Sequence, residues 1–287
     1  MAKNAQYRKF TRSKFGNVMY FALLILFGLF TVFPLFYCII TSLKPLEELL
    51  IFPPKFYVVR PTLDNFRVLP ALLSNLEVPL SRYVFNSLLI AVVTTLCSII
   101  AGSMAAFTFS KSKIKGSKFV FNLITTMMLY NGTTLAVPQY LIFSKLGMID
   151  TYWVYILPAI PSTVNCFLMK QFMDASVPDA LLEAARIDGA GVFGMYWRIV
   201  MPVMKPAIMT VLLFSFQSMW SVVPAGTVFS EEFKTLPYVM SSIAMGGIAR
   251  SGSAMAVTVV LMLPPIMVFL ITQSNVLETM GSSGIKG

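Results

Sequence analysis

The chain contains no histidine. That removes the commonest metal ligand and the residue most used to relay protons near neutral pH. Charge is scarce: Asp, Glu, Lys and Arg make up 12% of the residues, against about 25% in a soluble domain. Cysteine is confined to Cys38, Cys97 and Cys166. Each lies inside an apolar run, so they read as small buried hydrophobes rather than disulfides or metal ligands. No G-x-x-x-x-G-K-[ST] phosphate loop occurs, so no nucleotide-binding domain is expected in this chain. The lack of a catalytic cluster or an attached soluble domain argues against a membrane enzyme or receptor. The lack of internal repeats and membrane-embedded acids argues against an ion-driven secondary transporter. What remains is apolar: hydrophobic residues are 57% of the chain and mean hydropathy is +0.77, as in an integral membrane protein. The formal charge of +10 is not gathered on one polar domain, so nucleic acid is not an expected partner.

Charge-free runs long enough for a bilayer, about 20 residues, are Phe15–Leu43, Tyr83–Ser110, Phe119–Ser144, Thr151–Met169, Pro206–Ser230 and Ser251–Leu277. They predict an all-α membrane protein with six spans. The N-terminal MAKNAQYRKFTRSK precedes a run too long for a signal-peptide core and is expected to be retained. With the N-terminus cytoplasmic, the dense basic clusters (Arg8 to Lys14, Lys111 to Lys118, Arg186 to Lys205) fall inside, as the positive-inside rule requires. The predicted organisation is a cytoplasmic segment 1–17, a first span 18–43, an external loop 44–82, a five-span core 83–277 and a cytoplasmic tail 278–287. Pro34 in the first span frees a carbonyl and invites a kink.

The polar stretch SVPDALLEAARIDGAGVFGMYWRIVMPVMKP, Ser176–Pro206, stands out between two such spans. Ser176 is a candidate N-cap with Asp179 at capping-box spacing. Pro178 suits a first turn, and Asp179 and Glu183 precede Arg186 in the order the helix dipole favours. Gly189 supplies a helix stop. Phe193, Tyr196, Trp197 and Val200 then recur on one apolar face, and Pro202 and Pro206 mark where that helix gives way to a new apolar run. The expectation is a helix–turn–helix with one greasy and one charged side, a docking surface rather than a pocket.

Within the apolar runs, Tyr130-Asn131-Gly132-Thr133-Thr134, Asn165, and Ser215, Gln217, Ser218 and Trp220 are too polar for a lipid face. Such side chains face protein or a water-filled path. Interhelical hydrogen bonding is one role open to them. Lining a solute path is the other, with Asn131, Asn165, Gln217 and Trp220 as candidates. Aromatic planes beside hydrogen-bonding groups suit sugars, and the absence of mid-membrane charge suits a neutral solute.

Glu183-Ala184-Ala185, then three residues, Gly189, nine residues, Ile199, one residue, Met201 and Pro202 resembles the EAA loop of ABC-importer permeases. Met201 replaces the family's Leu, a volume-conserving swap. FPLFYCIITSLK (Phe33–Lys44), PTLDNF (Pro61–Phe66), RYVFNSL (Arg82–Leu88), LGMIDTYW (Leu146–Trp153) and the terminal SGIKG are similar to the MalG-like carbohydrate permeases. The resemblance implies a type I importer fold in a bacterial cell membrane, with both termini cytoplasmic. It implies that the chain is a non-catalytic transport subunit. It implies a coupling helix built on Glu183, Ala184, Ala185, Asp188, Gly189, Ile199 and Pro202. Implied partners are a second homologous permease, two ATPase subunits that bind ATP and Mg, an external solute-binding protein and a carbohydrate, with a polyol, a glycerol-phosphate ester or an uronate oligomer as the alternative solute; the chain itself needs no cofactor. The resemblance also implies that the stretch Glu231–Arg250 reaches toward the binding protein, although a plain connector fits the residues equally.

Overall fold

The computed structural model describes residues 14–72, 78–112, 114–130, 132–224 and 226–283. Among them there is no strand. The helices are α1 (Lys14–Ser42), α2 (Leu80–Lys111), α3 (Ser117–Met127), α4 (Ala136–Lys145), α5 (Trp153–Ala159), α6 (Thr163–Ser176), α7 (Asp179–Ile187), α8 (Val192–Val203), α9 (Lys205–Trp220), α10 (Leu236–Ala244) and α11 (Ser251–Ser283), with short turns of helix between.

Helix α2 is the axis of the core. Pro79 holds an extended backbone just before it, and Lys111 sits in its last turn, where a cation complements the helix dipole. Its buried face is rich in small residues: Ser87, Ala91, Thr94, Ser98, Gly102 and Ala106. Small side chains let helices approach closely when no apolar force distinguishes protein from lipid. Helices α6 and α9 pack against this face. At Gly102 the approach is tight, since a Cβ there would lie 3.4 Å from the Asn165 Cβ. Helix α9 also packs on α11, and α11 on α1. The apolar window of α1 is unburied, so that surface is left for lipid. At the end of α1, Asn65 ties the loop beyond it back by donating to the carbonyls of Ser42 and Lys44, at 2.9 and 2.7 Å.

Among the described residues, only three segments are long and apolar enough to cross a bilayer unbroken: Phe15–Ser42, Leu80–Lys111 and Ile248–Val276. The other charge-free runs are interrupted. Phe119–Ser144 breaks after Met127 and resumes through a 3-10 turn at Gly132–Leu135. Thr151–Met169 divides between α5, which contains Pro158, and α6, which Ser162 caps by accepting from the Asn165 N–H; α6 runs on to Ser176. Pro206–Ser230 is helical only as far as Trp220. A count of uncharged residues registers length but not a proline or a missing backbone donor. Non-helical backbone is tolerated at membrane depth where it lies against protein or a cavity. Pro34 does not interrupt α1. Parts of the N-terminal segment and the C-terminal tail lie outside the described residues.

One pole of the bundle is closed by residues 228–236, folded back on the start of α2. Asn86 donates to the carbonyls of Glu232 and Lys234, both at 2.8 Å, and accepts from the Tyr152 hydroxyl. Asp150 accepts from the backbone N–H of Phe229 and Ser230 at 2.9 and 2.8 Å, and from the Ser230 hydroxyl. Desolvation pushes the Asp150 carboxyl up, but the Ser230 and Phe229 bonds and Lys234 outweigh it and hold it below its ordinary value. Within the Glu231–Arg250 stretch, α10 packs onto α11 and α2.

Candidate docking loop and polar cavity

The 176–206 stretch forms the opposite pole. Helix α7 begins after Pro178, with no side-chain cap. Ser176 is not the expected N-cap: it is the last residue of α6. Asp179, in the first turn, bonds Lys111 at 2.8 Å rather than completing a capping box. The helix ends as expected at Gly189, whose φ is +82°. The Gly189 N–H donates to the Arg186 carbonyl at 3.1 Å and the Ala190 N–H to the Ala185 carbonyl at 2.9 Å. This pair of bonds is the Schellman closure, which needs a left-handed residue at that place.

The sequence motif divides between two faces. Leu182 and Ala185 are buried with Met173, Val177, Met195, Val200 and Met204 in one apolar cluster, and Ile199 packs against it. Glu183, Ala184, Asp188, Gly189 and Pro202 are exposed. So are apolar residues beside them, above all Ile187 at 86% and Phe193 at 69%. The four-residue face read from the sequence is therefore split: Tyr196 and Val200 are buried, while Phe193 and Trp197 point outward. A π-helical turn at Tyr196–Val200 rotates that register. Helix α8 lies at 78° to α9, so the loop crosses the end of the bundle instead of continuing its axis. Among the described residues no ion pair involves Glu183, Arg186 or Asp188. An outward carboxylate beside exposed apolar side chains can recruit a partner by a charge-assisted hydrogen bond plus apolar burial.

Inside the bundle, Asn165 donates to the hydroxyl oxygens of Ser98 and Ser215, both at 2.8 Å. One amide thus joins α2, α6 and α9. It also borders a cavity of about 200 Å³ lined by Thr94, Ser98, Ser162, Asn165, Ser215 and Ser218, with Phe214, Met219, Val164 and Ala159. No lining residue is charged. The buried Thr94 hydroxyl has no hydrogen-bond partner among the described residues. Sequence reasoning misses Thr94 and Ser98, although their spacing along α2 with Ser87 and Ala91 is a readable sign of a small polar stripe.

The other path candidates fare differently. Gln217 is exposed on α9 but does not line this cavity. Asn131 lies outside the described residues. Trp220 does not face an open path. Its indole N–H donates to the Leu261 carbonyl at 2.8 Å, and its ring stacks on Phe216. Its donor is satisfied by the backbone of a neighbouring helix, the structural alternative for any polar group at depth.

Replacing Asn165 by Leu removes both interhelical bonds. Such bonds average about 0.6 kcal/mol each in a membrane protein. The expected loss of stability is therefore about 1 kcal/mol, with the fold retained, as measured by unfolding of the purified chain in detergent.

The fold is similar to that of a chain of a bacterial ABC transporter involved in import of the acidic polysaccharide alginate, with TM-score 0.75 and 21% identity over 90% of this chain and 95% of the other. A second structure, the bacterial alginate ABC transporter in complex with an alginate pentasaccharide-bound periplasmic protein, matches with TM-score 0.61 and 17% identity over 89% and 91%. Residues 98–279 match the family described as binding-protein-dependent transport system inner membrane component, and the chain belongs to that family. It is thus a membrane-embedded transport component and not an enzyme. Among curated relatives, the polygalacturonan/rhamnogalacturonan transport system permease protein YtcP of Bacillus subtilis is 25% identical over 96% of this chain and 100% of its own length. The melibiose/raffinose/stachyose import permease protein MelC of Bacillus subtilis is 30% identical over 70% and 75%.

Proposed function

We propose that this chain is one of two permease subunits of an ATP-driven carbohydrate importer in a bacterial cell membrane, coupled to its ATPase through the 176–206 loop. The observation that carries the reading is the exposed face of α7. Glu183, Ala184 and Asp188 stand outward on a helix whose other side is packed into the spans. Partners are a second, homologous permease, a pair of ATPase subunits that hold ATP and Mg, and an external solute-binding protein. Closure of the ATPase pair moves α7 and α8, which shift the spans and switch the path between its two openings. The coupling role is assigned to Glu183, Ala184, Ala185, Asp188, Gly189, Ile199 and Pro202. The path is assigned to Asn165 and the hydroxyls around it, with Asn131 and Gln217 as further candidates.

The uncharged, hydroxyl-rich cavity favours a neutral oligosaccharide at this half of the path. An uronate oligomer is the second reading, favoured by the acidic polysaccharide alginate named for a transporter of similar fold. Purifying the complex under mild conditions and identifying its subunits tests the first claim. A second permease and an ATPase are expected to co-purify, whereas a chain that transports alone under an ion gradient would refute it. The solute retained by the external binding protein decides between neutral and acidic sugars.

Six crossings with both termini cytoplasmic place the loop on the ATPase side. A reporter fused after Gly287 is expected to show cytoplasmic behaviour, and an external signal would reverse the whole orientation.

A further inference from the structure

The docking helix is not packed flush against the longest core span. Between α7 and the end of α2 lies a cavity of about 330 Å³, lined by residues that include Lys111, Asp179, Leu182, Glu183, Arg186 and Met195. One side chain crosses that space. Lys111, the last residue of α2, has its side chain only 7% exposed. Its ammonium donates to the Val177 carbonyl at 2.6 Å and to Asp179 Oδ1 at 2.8 Å. Val177 and Asp179 flank Pro178, where the chain turns from α6 into α7. The junction is braced again beside it: Ser110 donates to Asp174 Oδ1, and Lys170 pairs with Asp174 Oδ2 at 2.6 Å. Desolvation pushes the Asp174 carboxyl up, but the bonds from Lys170 and Ser110 outweigh it and hold it below its ordinary value. A second tie lies further along α2, where the buried Ser103 and Tyr196 hydroxyls are 2.6 Å apart and hydrogen-bonded. It fastens α8 about 12 Å along the axis from Lys111, at 1.5 Å per residue.

We propose that Lys111 is a positioning residue: a strut that delivers movement of the docking helix α7 to the long span α2. The proposal rests on the reading of α7 as the ATPase dock. Lys111 is near-buried on the α2 side of this cavity, whereas Glu183 on its α7 side is exposed. The relative worth of its two contacts depends on burial. Asp179 is 78% exposed, and an ion pair to such a group contributes little. The Val177 carbonyl is the firmer anchor, because removing a near-buried donor leaves an acceptor without its partner. Lys111→Met is therefore expected to act more strongly than Asp179→Asn.

The test uses the full transporter complex, with Ser218→Cys as a reporter on the polar cavity and Cys38, Cys97 and Cys166 replaced by Ala. Two quantities are read: the amount of ATPase subunit that co-purifies, and the change in maleimide labelling of the reporter on adding ATP. With Lys111 present, ATPase is bound and ATP alters labelling. Lys111→Met is expected to keep the ATPase bound while the ATP effect shrinks roughly tenfold, within the range found for residues along a coupling route. Lys111→Arg is expected to restore it, and Asp179→Asn to change it less than about threefold. If Lys111→Met accumulates poorly, Lys111→Gln is read for the same two outcomes. A full ATP effect in either variant overturns the strut. So does loss of the ATPase, which would make Lys111 part of the dock. A complex with Lys111 intact that binds no ATPase would instead refute the reading on which the strut rests.

Discussion

Trp220→Ala is expected to destabilise the folded chain by about 3–5 kcal/mol, the range for deleting a buried aromatic side chain. Trp220 is 2% exposed. It sits in a cluster with Tyr83, Phe216, Leu236, Val239, Ala254 and Val257 that joins α2, α9, α10 and α11. Its ring lies 5.9 Å from that of Phe216, with 9° between planes. In a membrane the loss is mainly of packing rather than of hydrophobic burial, because lipid is as apolar as the side chain. The orphaned Leu261 carbonyl adds to it. Trp220→Phe keeps an aromatic ring and loses the five-membered ring with its bond, for a smaller cost of about 1–3 kcal/mol. The measurement is protein level in the membrane together with thermal unfolding in detergent. Normal stability in Trp220→Ala with transport abolished would return this residue to the solute path.

Gly189→Val is expected to abolish transport while the membrane fold persists. The φ of +82° costs an L-residue roughly 1–2 kcal/mol, and a β-branched side chain more. Nothing lies within 4 Å of an added Cβ, so the effect is conformational and not a clash. The bonds from Gly189 and Ala190 that close α7 would open, and Asp188 and the exposed apolar edge would change direction. Gly189→Asn should retain much of the activity, since Asn enters the left-handed region more readily. Uptake measured beside ATPase co-purification checks this. Equal activity for Val and Gly would mean the left-handed closure is not needed.

The sequence makes the 176–206 loop legible and the polar cavity much less so. Gly189 as a helix stop, the apolar side through Leu182 and Ala185, and the outward Glu183 all accord with spacing and residue type. The cap at Ser176 does not, because α6 runs through to that residue and Lys111, distant in sequence, captures Asp179. The register of Phe193 to Val200 fails for a comparable reason, a π turn that a 3.6-residue period does not anticipate. The polar cavity is a tertiary property. Ser98, Asn165 and Ser215 are far apart in the chain and meet only because Gly102 lets α2 and α6 approach. Trp220 and Asn165 look alike in sequence as polar-tipped groups in apolar runs. Which of them borders a cavity depends on whether a backbone carbonyl is at hand.

The claim that the 176–206 loop couples this chain to an ATPase meets its most direct test in Glu183→Ala. Truncating one member of a charged pair at an interface weakens binding by about 2–5 kcal/mol when the partner charge stays buried. Co-purified ATPase and solute-stimulated ATP hydrolysis are measured in the full complex, with the chain expressed at its normal level. Both should fall well below the unsubstituted complex. Undiminished values in both would contradict the coupling role of this loop.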